Sequence, residues 1–329
     1  MLLSYRKLFV FAAVPLILAA VWGAQEQSAD NSRVAVQPGA KPSGEAGAKV
    51  NLRVDSTLVL IPVTVTDPRN RFVTGLSKEN FKVFEDKTEQ AITQFSSEDA
   101  PISGGVVFDC SGSMGGKLMK SREAVAQFFR TANPEDEFFL IQFNDGVKVM
   151  QPFTRSLAEI QNGLTFTQSK GRTALLDAVY LALQQMKKAT NPRKAVLIIS
   201  DGGDNNSRYR QTEIKNLVKE ADVQIYAMGI YEPGETRSRT PEEMDGPGLL
   251  TEIADQTGGR QYAVDNVSDL PDIAAKIGTE LRNEYILGYA PRNGQRDGKF
   301  RHVQVTVSPP RGLPPLRASW RLGYYAPSQ

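Results

Sequence analysis

The sequence predicts an α/β protein: a Rossmann-like, doubly wound, mostly parallel sheet over residues 102–283, with an additional β-rich, sandwich-like domain from the two flanks, 50–101 and 284–329. Three observations predict it. Uninterrupted apolar runs such as Val106-Val107-Phe108 and Val196-Leu197-Ile198-Ile199 alternate with segments of helical period, which is the grammar of a parallel sheet covered on both faces. Both runs end close to an acid, Asp109 or Asp201. The flanks read differently, as short β-branched or alternating runs divided by turn residues.

Taken in order, the chain begins with a basic pair, Arg6 and Lys7, then an apolar run from Leu8 to Val21 and small residues at Gly23 and Ala24. This is the pattern of a secretory signal peptide over 1–24, with an uncleaved anchor as the alternative because Trp22 is large for a cleavage site. The chain is therefore expected to be exported, periplasmic or secreted, and to meet a membrane only through that anchor. Residues 25–49, rich in Ala, Gly, Ser, Gln and Pro without a period, read as a linker.

The first flank carries Leu58 to Thr66, the turn Asp67-Pro68-Arg69-Asn70, and the alternating runs Phe81 to Asp86 and Ala91 to Phe95. It is too short to bury a good core alone. The second flank returns to β at Tyr285 to Tyr289, Arg301 to Val307 and Arg317 to Tyr325, so the two ends are expected to pair. Between them, strands are expected at Gly104–Asp109, Glu137–Phe143, Ala195–Asp201 and Gln224–Ile230. Helices are expected around Ser121–Phe129, Leu175–Met186, Ile214–Ala221, Leu249–Ala254 and Ile273–Leu281, and Asn144-Asp145-Gly146 marks a hairpin.

Composition narrows the chemistry. A net charge of +2 over 329 residues makes no electrostatic case for nucleic acid. Cys110 is the single cysteine, so no intrachain disulfide forms, and His302 is the single histidine, which removes most histidine metal sites and triads. Gly112 to Leu118 is one residue short of a phosphate loop and has Leu118 where a hydroxyl is needed, so no nucleotide is expected. Residues 232–247 form a long polar loop that names no partner.

The chemistry concentrates where the acids stand. In an extended segment alternate side chains share a side, so Asp109-x-Ser111-x-Ser113 aims three oxygens at one point. Asp201 ends a second apolar strand, and ligands of open α/β sheets bind beyond the carboxyl ends of strands. Thr173, just before a helix, either caps that helix or adds a hydroxyl to the site. Oxygen-only donors suit a hard divalent cation, Mg²⁺ first, with Mn²⁺ or Ca²⁺ as alternatives. Cys110 inside the motif reads as a small buried filler, because a thiolate is too soft for such an ion. Asp204, Asn205 and Asn206 read as site rim or solvated turn, and Asp177 as a helix-dipole partner or a group behind the ligands.

Asp109-x-Ser111-x-Ser113, Thr173 and Ser200-Asp201-Gly202, in this order, resemble the metal-ion-dependent adhesion site of von Willebrand factor type A domains. The resemblance covers roughly 104–288, and none of the five positions departs from the pattern. The flanks are similar to those of a bacterial exported subfamily, at Pro62–Val65, Val83–Asp86 and Gly323–Pro327. The resemblance implies that Ser111, Ser113 and Thr173 ligate the ion directly while Asp109 and Asp201 act mostly through ligated waters. Neutral hydroxyls leave a dication electrophilic, so a partner protein's Glu or Asp carboxylate fits its open position. The expected function is thus non-enzymatic metal-dependent protein binding, in adhesion or assembly, with a metal-assisted phosphoester hydrolase as the rival.

Overall fold

Both acid-tipped apolar runs lie side by side in the middle of one sheet. The computed structural model describes residues 58–231 and 245–328, all within the unit Val54–Gln329. The expected leader over 1–24, the linker over 25–49 and most of the 232–247 loop fall outside the described residues.

The sheet has six strands in the order β10-β9-β8-β5-β6-β7. These are β5 (Ile102–Asp109), β6 (Glu137–Phe143), β7 (Val147–Thr154), β8 (Arg193–Ser200), β9 (Gln224–Ile230) and β10 (Gln261–Val264). All neighbours run parallel except β6 and β7, a hairpin closed by Asn144-Asp145-Gly146. The chain moves outward from β5 to β6 and β7, then returns to β8 on the other side of β5. Strand order therefore reverses between β5 and β8, and a crevice opens beyond their carboxyl ends.

Six helices accompany the sheet among the described residues: α1 (Leu118–Phe129), α2 (Leu157–Thr165), α3 (Leu175–Met186), α4 (Gln211–Glu220), α5 (Gly246–Gln256) and α6 (Leu270–Arg282). Alternate residues of the central strands feed two cores. Val106, Phe108, Leu140 and Leu197 pack with α1 and α6 on one face, while Val107, Ile141, Val196 and Ile198 pack with α3, α4 and α5 on the other. Continuous apolar strands are needed because neither face meets water. Neither α2 nor β10 was expected from the sequence. Leu157, Ile160 and Leu164 do carry a helical spacing, but over only nine residues; β10 has only four residues.

The flanks form two antiparallel four-stranded sheets. One has the order β13-β1-β11-β4, from β1 (Val59–Thr66), β4 (Ile92–Ser96), β11 (Tyr285–Tyr289) and β13 (Arg317–Trp320). The other has the order β14-β12-β2-β3, from β2 (Phe81–Glu85), β3 (Thr88–Gln90), β12 (Phe300–Val307) and β14 (Gly323–Tyr325). Ile61, Val63, Tyr285 and Leu287 of the first sheet share one core with Phe81, Val83, Val303 and Val305 of the second. Buried Glu85 joins the two sheets, accepting hydrogen bonds from the Tyr289 and Tyr324 hydroxyls at 2.9 and 2.7 Å. Among the described residues, no helix is long and apolar enough to cross a membrane.

Gly104 and Gly105 let β6 lay its aromatic rings across β5. A Cβ at Gly104 would sit 2.3 Å from the Phe138 ring, and one at Gly105 would sit 2.2 Å from the Phe139 ring. Gly105→Ala should therefore destabilise the protein by about 1–3 kcal/mol through overpacking, read as a lower urea midpoint with an unchanged slope.

Candidate functional site

Asp109 closes β5, and its carboxylate is fully buried at the crevice. Its Oδ1 accepts the Ser111 amide at 2.8 Å, so the chain turns back over the acid as soon as the strand ends. Its Oδ2 accepts the Ser200 hydroxyl at 2.6 Å, from the end of neighbouring β8. Ser111 and Ser113 then bring their hydroxyl oxygens within 3.2 Å of each other. The first loop thus presents the acid and both serines together.

The second loop, 170–173, lies against the first. The Gly112 amide donates to the Gly171 carbonyl at 3.0 Å, and the Lys170 amide donates to the Cys110 carbonyl at 3.0 Å. Gly171 takes φ +79°, and a Cβ there would meet the Asp145 carboxylate at 2.0 Å, so only glycine fits. The third loop, after β8, grips the second: the Asn205 side-chain oxygen accepts the Thr173 amide at 2.9 Å, while the Asn205 and Asn206 amides donate to the Thr173 carbonyl. Asp109, Ser111, Ser113, Thr173 and Asp201 therefore stand on three loops that are hydrogen-bonded to one another. Only Ser113 of the five is exposed; the other four are buried.

Thr173 does not cap α3. The position before the helix is Ala174, and it makes no side-chain cap bond. The Thr173 backbone is tied to the third loop instead, one residue too early for capping. Asp177 accepts the Arg208 and Tyr209 amides at 2.9 and 3.2 Å and pairs with the Arg208 guanidinium, so it clasps the third loop to α3. Cys110 is buried and its thiol donates to the Phe143 carbonyl at 3.1 Å; burial pushes the thiol up to about 11, which suits a filler.

Two carboxylates meet in this crevice. Burial, and then the charge of Asp201, push the Asp109 carboxyl up to about 7. The buried Lys117 ammonium stands 3.5 Å from Asp201 Oδ2 and offsets part of the charge there. Among the described residues, no group of three or more His, Cys, Asp and Glu side chains is placed to hold a metal. An ion here would draw on hydroxyls as well as the two acids. That donor set, hydroxyl and carboxyl oxygens only, fits a hard divalent cation.

Residues 106–203 match the family described as von Willebrand factor type A domain. The matched span runs from the middle of β5 through Asp109, the second loop and β8 to Asp201. The chain carries a von Willebrand factor type A domain. It is 29% identical over 146 residues to inter alpha-trypsin inhibitor, heavy chain 4, of Mus musculus, covering 40% of this chain and 16% of that protein. It is 23% identical over 182 residues to an uncharacterized protein of Borreliella burgdorferi, covering 49% and 53% of the two chains. The chain thus spans about half or less of the length of these relatives. Among solved structures, the von Willebrand factor type A protein of Catenulispora acidiphila aligns at TM-score 0.49 and 14% identity, over 83% of this chain and 74% of that one. BatB of Bacteroides thetaiotaomicron aligns at TM-score 0.44 and 19% identity, over 55% and 98%.

Three supporting residues of the A domain escaped the sequence reading. Ser200 enters the sequence reading as a strand end and as part of Ser200-Asp201-Gly202 with no role of its own, whereas its hydroxyl holds Asp109. Asn205 fits rim and turn equally well by sequence, and in the structure it fastens Thr173. Lys117 lies in the Gly112–Leu118 stretch that fails as a phosphate loop, and its ammonium instead stands by Asp201. A signal for it existed: it lies just beyond the Asp-x-Ser-x-Ser turn, where the next helix starts beneath the crevice.

The sign of the acid's effect on stability follows from its direction. Asp109 is raised above its ordinary value, so the folded state holds a proton that the unfolded chain releases earlier. The stability this contributes is present at low pH and is lost as pH rises from the usual carboxylate range through about 7. In EDTA, melts followed by circular dichroism should fall between pH 5 and pH 8. Asp109→Asn should flatten that slope and raise the pH 8 melt, the effect being on the order of a few kcal/mol at most.

Proposed function

We propose that the A domain is a non-enzymatic, divalent-cation-dependent protein-binding module that works in adhesion or assembly. In this reading Ser111, Ser113 and Thr173 hold Mg²⁺ directly, and Asp109 and Asp201 act from one water further out. The bound ion would supply an electrophilic coordination position for a Glu or Asp carboxylate of a partner protein. The observation that carries the proposal is the mutual fastening of three loops that bear only oxygen donors, with Ser113 alone facing outward.

Two further features support it. Domains of this family are commonly protein-interaction modules. Large apolar side chains also stand exposed beside the crevice: Phe166 is 90% exposed and Met119 66%. Arg122, one turn along α1 from Met119, donates to the Thr167 carbonyl next to Phe166, so the two apolar side chains sit on adjoining segments. An exposed aromatic beside a desolvated polar centre is the make-up of an interface hot spot. Export of the chain, to the periplasm or beyond, rests on the basic and then apolar residues at its start.

Thermal melts in Mg²⁺ or Mn²⁺ against EDTA test the ion. A ligand at a hundred times its Kd should stabilise the folded state by about 2.7 kcal/mol. Ser113→Ala, at an exposed position, should keep the EDTA melt and lose the metal-induced rise. No rise in the unaltered chain, even with a glutamate-containing peptide present, would sink the proposal. In pull-downs from envelope extract, Phe166→Ala should keep the metal-induced rise but lower partner capture several-fold. Metal-dependent phosphoester turnover that disappears in Ser113→Ala would favour the hydrolase instead.

A further inference from the structure

Away from this crevice, an open groove of about 890 Å³ runs between the six-stranded sheet and the flanking β sheets. Two of its walls are strand edges. β10 ends the six-stranded sheet on one side, and β13 ends its own four-stranded sheet, so each has a hydrogen-bonded strand on one flank only among the described residues. The walls are pinned together at one end. The Arg260 guanidinium donates to the Ser319 hydroxyl at 3.2 Å, and a Cβ on Gly258 would sit 2.5 Å from the Arg321 amide nitrogen. Beyond the pin the groove is lined by the end of β12.

The groove is one-sided in charge. Arg260, Lys276 and Arg317 line it, and no Asp or Glu does. Fully buried Glu280 stands 3.6 Å from the Arg260 guanidinium and offsets part of its charge. Lys276 lies over the Tyr262 ring, 5.6 Å from its centre, and Arg317 is exposed. An unpaired strand edge offers a row of backbone donors and acceptors, and adding a strand to such an edge is a recurring mode of peptide recognition. Short of the pin, where Thr257 and Arg321 form an antiparallel bridge, Arg317 to Ser319 give roughly 10 Å of edge at the usual strand rise.

We infer that this groove docks an extended, acidic segment of a partner protein, which adds to the free edge of β13 and sets its carboxylates against Lys276 and Arg317. The chain's own residues 25–57 do not match that charge, since their acids and bases balance. The inference does not depend on the ion site, because none of the residues proposed to hold the ion lines the groove.

The test uses the full chain in EDTA, so that a failure here is distinct from a failure of the metal reading. The probe is a fluorescein-labelled peptide of alternating glutamate and valine, followed by anisotropy. Binding is expected, weakened at least ten-fold by Lys276→Glu with Arg317→Glu, and by N-methylation of alternate peptide amides. Hydrogen exchange should slow at 317–320 when the peptide is present, and melts should confirm that the variant is folded. Absence of binding would overturn the inference. So would equal binding of a lysine-for-glutamate peptide, or binding indifferent to N-methylation. A sulfated oligosaccharide that binds these residues while the peptide does not would also overturn it, in favour of a glycan site.

Discussion

Two carboxylates at the ends of neighbouring parallel strands constrain everything around them. Asp109 and Asp201 are both buried, and burial and then the charge of Asp201 raise the cost of ionising Asp109. Such a pair persists only if the surroundings supply donors and positive charge. The Ser200 hydroxyl, the Ser111 amide and the Lys117 ammonium do so. The compensation is incomplete, since the Asp109 carboxyl still lies far above the usual carboxylate range. A cation bound as proposed would relieve that cost and so stabilise the fold.

The rest of the domain reads as support for that pair. β5 and β8 are wedged between two apolar cores, so the acids they carry cannot drift apart. The glycines of β5 admit the rings of β6, which stiffens the strand that ends at Asp109. The second and third loops have little secondary structure, yet each is fastened to a neighbour by backbone bonds. The proposed ligands therefore stand on short, anchored loops at the end of a rigid sheet, an arrangement that favours pre-organised recognition.

Much of this was legible in the residues themselves. The apolar runs ending near Asp109 and Asp201 announced buried parallel strands, and their period told them apart from the helices. The Asp-x-Ser-x-Ser spacing announced one cluster of oxygens. Other features left no such trace. For Thr173 the sequence leaves helix cap and site hydroxyl both open, because the choice turns on a one-residue helix boundary that spacing does not encode. Ser200 and Asn205 act through tertiary hydrogen bonds to residues distant in the chain, which no local pattern carries. β10 is only four residues long, and the edge that β9 offers makes it a strand more than its Tyr and Val do.

The sandwich is threaded through the A domain. Val59 pairs with Tyr289, and Ile286 pairs with Ser96, so β11 lies between two strands made long before it. As the chain leaves the ribosome, β1 to β4 must wait, with apolar faces bare, until the whole parallel domain has emerged. Local contacts close quickly and distant ones slowly. The A domain is thus placed to fold first and to draw the two ends toward each other, acting as the template on which the sandwich is stitched. That interval of exposed edges is when an escorting chaperone matters most.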